Sequence, residues 1–284
     1  MSNKLIIGTA QFGLSYGINN TTGKVPPEEV RNILTLAKEK GITKLDTSYA
    51  YGDSEIVLGS TLKNDNFKII SKFLSADTLP VTIFNESLQR LNAGKLYGYL
   101  IHHFNNFKEN HNIWSDIEKL KNKGLIDKIG FSIYRPDDLG YLFDHNIIFD
   151  LIQFPYNILD RSFAPYLEEL KNRNIEIHTR SVFLQGLFFM KKENFPEKLL
   201  PLWPYIEQIN IFCRDNGIII EELALNGVVH QPDIDGVIIG IDNSEQLSRN
   251  INSVWKNCPS EIESFINSIH VKESELLNPV NWNK

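Results

Sequence analysis

The chain has 284 residues, 42% of them hydrophobic and 23% charged, a globular balance that suits one large α/β barrel or two average domains without covalent staples. Its net charge of −6 offers no basic field to nucleic acid or to an anionic membrane. Cys213 and Cys258 lie far apart outside any CxxC pattern and no run of about 18 apolar residues exists, so a disulfide framework, a structural zinc site and a membrane span are not expected.

From the amino terminus, MSNKLIIGTAQFG holds an apolar run too short for a signal peptide. It reads as a first strand at residues 5–9, and the expected setting is the cytoplasm with both thiols reduced. A helical pattern follows over 27–40, opened by Pro26-Pro27 and stopped by a cationic last turn and Gly41. Strands are then expected at 44–48 (KLDTS), 68–72 (KIISK), 97–102 (YGYLIH) and 128–133 (KIGFSI). Three more are expected at 151–156 (LIQFPY), 176–181 (EIHTRS) and 236–241 (GVIIGI). Helical patterns at 81–91, 114–123, 136–143, 163–173, 199–217 and 220–230 separate them. A last helix opens at Ser244-Glu245, and the tail after about residue 256 is less periodic and is expected to pack across the barrel.

Nearly continuous apolar strands alternating with helices argue for a parallel sheet covered outside, and eight such units argue for closure into a (β/α)8 barrel. An open doubly wound sheet would want GxGxxG after the first strand, and GTAQFG (residues 8–13) does not match it. No linker or composition break divides the chain, so a single domain over residues 1–284 is expected.

Barrel sites of this class lie at the C-terminal ends of the strands. There the second strand ends in Asp46 with Tyr51 five residues on, the third in Lys72 and the fourth in His102. A phenol with a pKa near 10 is a poor acid at neutrality. An adjacent ammonium lowers it, a carboxylate neutralises that ammonium, and an imidazole orients a carbonyl oxygen: a general-acid set. Singly, each residue has a plainer role: Asp46 as a turn residue, Tyr51 as a half-buried aromatic, Lys72 as a strand-end cation, His102 as a core histidine. His103 competes with His102, but strand alternation points the two in opposite directions. The convergence of all four at successive strand ends favours chemistry.

These residues carry a resemblance to the aldo-keto reductase family. LDTSYAYGDSEIVLG (45–59) is similar to that family's DTA-x-x-YG-x-SE-x-x-LG signature, and IIGTAQFG, IISK, LIHHF, GLIDKIGFS, IQFPYN, RSVFLQGL and VIIGIDNSEQLSRNI follow in family order. The resemblance covers nearly the whole chain. It implies Tyr51 as acid with Lys72, Asp46 and His102 as partners, a small-molecule carbonyl substrate, and no metal. It also implies a nicotinamide dinucleotide across the barrel mouth. Gly8, Thr9, Ala10 and Asp46 would border it, Ser132 and Gln153 would hold the nicotinamide amide, and Arg180, Ser181, Leu184 and Gly186 would flank the nicotinamide and pyrophosphate. Gly240, Ile241, Ser244, Gln246, Arg249 and Asn250 would grip the adenosine phosphate. The departures are Ile133 where the family has Asn, Arg180 where it often stacks an aromatic, and Gly240, Ile241 and Gln246 where NADPH users often carry Lys, Ser and Arg. Arg249 is the nearest cation and Asp242 would repel a phosphate. Family habit points to NADPH, with NADH the alternative.

Reduction of an aldehyde or ketone is thus the first reading, and the polar loop at 15–24 suggests a sugar-derived substrate. Two others compete: an aldolase or isomerase using Lys72 as a Schiff-base nucleophile, and a non-catalytic, cofactor-sensing subunit.

Overall fold

In the computed structural model, which describes residues 4–62, 66–74 and 78–282, eight parallel strands pair in sequence order and the last returns to the first. They are β1 (Leu5–Gly8), β2 (Lys44–Asp46), β3 (Lys68–Phe73), β4 (Leu96–Ile101), β5 (Ile126–Ser132), β6 (Leu151–Pro155), β7 (Glu176–Arg180) and β8 (Gly236–Gly240). The barrel expected from the alternating pattern is present, and each expected strand lies within two residues of its place. Helices at Pro27–Glu39, Pro80–Leu91, Asn112–Asn122, Pro136–Asp144, Ile220–Val229 and Ser244–Asn252 cover it outside. Gly41 and Gly124 take φ of +74° just past their helices, the left-handed stop that a glycine adopts at no steric cost.

Period-two alternation gives the interior its layers. Ile70, Leu100 and Leu151 form an apolar layer in the middle. Below it, the Glu176 carboxylate accepts bonds from Lys44 (2.6 Å), Lys128 (2.5 Å), Tyr97 Oη (2.5 Å) and His178 Nε2 (2.7 Å), closing the floor with polar groups. Burial alone would raise the Glu176 carboxyl; the bonds from His178 and the two lysines hold it well below the usual carboxylate range. Between β5 and β6 the packing requires a glycine: a Cβ on Gly130 would stand 1.6 Å from the carbonyl oxygen of Leu151, its partner in the ladder.

Two expectations need correction. The tail contains a regular helix, Ser260–Ser268, whose Ile262 and Ile266 are buried. Ile266 approaches Gly227 of the Ile220–Val229 helix, so this part of the tail packs on the outer wall instead of lying across the barrel. The expected helix at 199–217 begins as a 3-10 segment, Glu197–Leu202, and turns regular only at Trp203–Asp215, because Pro201 removes a backbone donor inside the first stretch.

Candidate active site

Asp46, Tyr51, Lys72 and His102 meet at the C-terminal end of the barrel. Lys72, fully buried on β3, gives all three donors away: to Asp46 Oδ1 (2.6 Å), the Thr47 carbonyl (2.9 Å) and Tyr51 Oη (3.4 Å). The second Asp46 oxygen accepts from Gln153 Nε2 at 2.8 Å. His102 meets the Tyr51 ring edge-on at 5.8 Å, while His103 is exposed, as alternation requires. Burial pulls the Lys72 ammonium down while Asp46 holds it up.

The Tyr51 loop is fixed by backbone contact. A Cβ on Gly13 would fall 1.8 Å from the Tyr51 carbonyl oxygen, and Gly52, at φ +56°, packs back on Gly13. Thr9 bonds the Asp46 carbonyl with both its N–H and its hydroxyl, and Ser54 Oγ donates to the Thr9 carbonyl. Thr9 is therefore fully buried support, not part of the cleft surface.

One expectation about acidity is reversed. Burial, and then the Asp46 charge, push the Tyr51 phenol above its ordinary value; Arg180 acts in the opposite direction. The Lys72 charge is offset by Asp46, so what it lends the phenolate does not outweigh burial and the Asp46 charge. A phenol held protonated is a competent donor once an adjacent oxygen becomes strongly basic. His102 is held neutral well below its ordinary value, first by burial and then by the Lys72 charge. Its Nδ1 lies 3.1 Å from Ser48 Oγ, and Ser48 Oγ already accepts the Ala50 N–H. The Ser48 hydroxyl proton can then go to Nδ1, which leaves Nε2–H as a donor. Sequence reading did not single out Ser48.

A cleft of about 1070 Å³, counting its open mouth, runs from Tyr51 and His102 to Asp242 and Gln246. Gly8, Ala10, Asp46, Arg180, Ser181, Gly186 and Gly240, all candidate cofactor neighbours, also line it. Ser132, Gln153, Leu184, Ile241 and Asn250 are buried beneath, not on, the lining. Ser244 stands off the lining and donates its N–H to Glu29. Arg249 is exposed on the outer wall and pairs with Glu245 at 3.0 Å. Tyr16, Asn19 and Asn20 of the polar 15–24 loop line it as well, and the lining residues that sequence reading missed are Tyr134 after β5 and Phe183 and Phe189 after β7. Burial pushes the Tyr16 phenol up to about 12.

The β7 loop is the strained part of the rim. Ser181, Leu184, Gln185 and Gly186 all have positive φ, from +46° to +91°. Non-glycine residues stay there only when the surroundings hold them, and such strain concentrates at functional sites. Gln185 Nε2 donates to Tyr16 Oη at 3.1 Å, and a Cβ on Gly186 would come 2.9 Å from Asn19, so the β1 and β7 loops meet over the cleft. Three buried polar atoms near the cleft have no partner among the described residues: Gln153 Oε1, Asp242 Oδ1 and Asn250 Nδ2. Orphaned groups at both ends suit a long polar ligand, and a dinucleotide is one.

The chain matches the profile of the Aldo/keto reductase family over residues 4–268. It belongs to that family. Among relatives, it is 25% identical over 289 residues to L-galactose dehydrogenase of Arabidopsis thaliana, covering 92% of this chain and 87% of that protein. It is 25% identical over 258 residues to the NADH-specific methylglyoxal reductase of Escherichia coli (strain K12), covering 74% and 78%. Among solved structures, the holo form of aldo-keto reductase AKR11C1 from Bacillus halodurans superposes with a TM-score of 0.73 at 19% identity, covering 93% of this chain and 91% of that one. This member of the family is an NAD(P)H-dependent oxidoreductase. Among the described residues no helix is long and apolar enough to cross a membrane.

Proposed function

We propose that the reductase converts an aldehyde or ketone to an alcohol, with Tyr51 delivering the proton to the carbonyl oxygen. The observation that carries this reading is the Asp46–Lys72–Tyr51 chain at 2.6 and 3.4 Å, with a neutral His102 facing the same end of the cleft. A bound nicotinamide cofactor supplies the hydride. His102 Nε2–H and Tyr51 Oη–H orient the carbonyl oxygen, and Tyr51 releases its proton as charge develops there. Lys72, already bonded to Tyr51 Oη, then faces the phenolate left behind, a charge it stabilises. A Schiff-base role for Lys72 is not favoured, because its amine is wholly buried and all three donors are engaged. A sensing role without catalysis has no observation in its favour.

The amide and adenine ends would lie over Gln153 and Asn250, whose Oε1 and Nδ2 are unpartnered beneath the lining among the described residues. NADPH was the family expectation; the adenosine end favours NADH. Asp242 lines it with an unpartnered buried oxygen, a natural acceptor for a ribose diol and a repulsive neighbour for a 2′-phosphate. The N-terminus of the Ser244–Asn252 helix is already closed by Asn243 Oδ1 and by Glu29, whose oxygen accepts the Ser244 N–H. A methylglyoxal reductase specific for NADH among the relatives agrees with this. The test is oxidation of NADH and of NADPH by a panel of small aldehydes. Turnover with at least about a tenfold higher kcat/KM for NADH is expected, equivalent to roughly 1.4 kcal/mol. No turnover with either would overturn the reductase reading, and a preference for NADPH would overturn the cofactor reading.

A further inference from the structure

Among the described residues, no carboxylate pairs with the charge on Arg180. Arg180 extends from the end of β7 and lines the cleft together with Tyr51, His102 and Tyr134. Its Cζ lies 3.9 Å over the Tyr134 ring, and Nη2 donates to the Ile133 carbonyl at 3.1 Å. These two contacts hold the guanidinium in one orientation. Among the described residues it makes no ion pair. Asp46 is already bonded to Lys72 and Gln153, and Asp160, which feels the guanidinium charge, turns to the Ser162 N–H and hydroxyl. Among the described lining residues Arg180 is the sole lysine or arginine.

A half-buried cation without a counterion is costly, and proteins pair such charges unless the partner arrives from outside. Guanidinium is a planar fork of five N–H donors suited to bidentate carboxylate or phosphate, and one backbone carbonyl leaves most of them free. Arg180 lines the same cleft as Tyr51 and His102, and its charge acts on Tyr51, Lys72 and His102.

We propose that Arg180 is an anion receptor for the substrate, and that the carbonyl compound reduced here carries a carboxylate or phosphate close to its reducible carbonyl. This rests on the reading of Tyr51 as proton donor to a carbonyl. The anion would dock on the free edge of the guanidinium while Tyr51 and His102 take the carbonyl oxygen, so the same residue sets both selectivity and orientation.

Matched pairs differing by one charge test it: 3-carboxybenzaldehyde against its methyl ester for the carboxylate, and glyceraldehyde 3-phosphate against glyceraldehyde for the phosphate. The wild-type protein should favour the anionic member of at least one pair by about tenfold or more in kcat/KM. Arg180→Gln should bring that ratio close to one, chiefly through KM, and Arg180→Lys should restore part of it. Equal ratios in wild type and Arg180→Gln overturn the proposal, as does a wild-type protein indifferent to charge. Loss of NADH binding in Arg180→Gln with the ratio unchanged also overturns it, by assigning the cation to the cofactor. A readout independent of turnover separates this from failure of the reductase reading: benzoate and inorganic phosphate titrated into the NADH-saturated protein by calorimetry. Binding of either that disappears in Arg180→Gln supports the receptor even if no aldehyde is reduced, and binding of neither overturns it.

Discussion

At the scale of single residues the proposed acid, Tyr51, is defined by what surrounds its oxygen. Burial and Asp46 raise the Tyr51 phenol above about 10, and burial keeps His102 uncharged below about 6.5. Both groups therefore remain in their working protonation states across the neutral range. The kcat/KM for carbonyl reduction should be flat from about pH 6.5 to 9; a pH–rate profile that falls with an apparent pKa near 7 would contradict this. The position of the phenol depends on Gly13, where a Cβ would come 1.8 Å from the Tyr51 carbonyl oxygen. Gly13→Ala must displace that loop, and a misplacement near 1 Å costs on the order of 100-fold in turnover. Steady-state kinetics beside a thermal melt would separate the loss of kcat from any loss of folding. The convergence of Asp46, Tyr51, Lys72 and His102 was legible in the sequence because they stand at or just after three successive strand ends. The rise in Tyr51 was not, because it depends on Asp46 neutralising Lys72, a distance that no sequence contains.

At the scale of elements, β7 carries both ends of the barrel's polar chemistry. Its first residue, Glu176, gathers Lys44, Lys128, Tyr97 and His178 at the floor, and its last, Arg180, stands in the cleft. Removing one member of such a buried network leaves the others without a partner. Glu176→Ala should cost about 3 kcal/mol in urea unfolding; a loss under about 0.5 kcal/mol, the level of an ordinary surface substitution, would show the floor to be dispensable. The sign with pH follows from the depressed Glu176 carboxyl: its contribution is full above the unfolded value of about 4.3 and is lost as pH falls toward the folded value. The strands were readable because apolar runs bounded by glycine and proline have few alternatives. The β7 loop was not: three of its four left-handed residues are Ser181, Leu184 and Gln185, types that carry no signal for positive φ. Its conformation is imposed by contacts with Tyr16 and Asn19, which are distant in sequence.

For the whole molecule, barrel closure turns local patterns into a site. β1 pairs with β8, so Gly8 stands beside Gly240, and residues from both ends of the chain line one cleft. The phosphate-end assignments were therefore the least readable: Ser244 and Arg249 sit at the right places along the sequence, but Glu29 engages the first and Glu245 the second. The charge on the cleft lining comes from neighbouring strands too, with Arg180 ending β7 and Asp242 following β8. The most direct measurement on the central claim is a single-turnover experiment with Tyr51→Phe, preloaded with NADH and mixed with an aldehyde that the wild type reduces. NADH should bind with unchanged affinity while its oxidation slows by roughly 10²- to 10⁴-fold, the usual worth of a positioned general acid; oxidation at the wild-type rate would show that the proton comes from elsewhere.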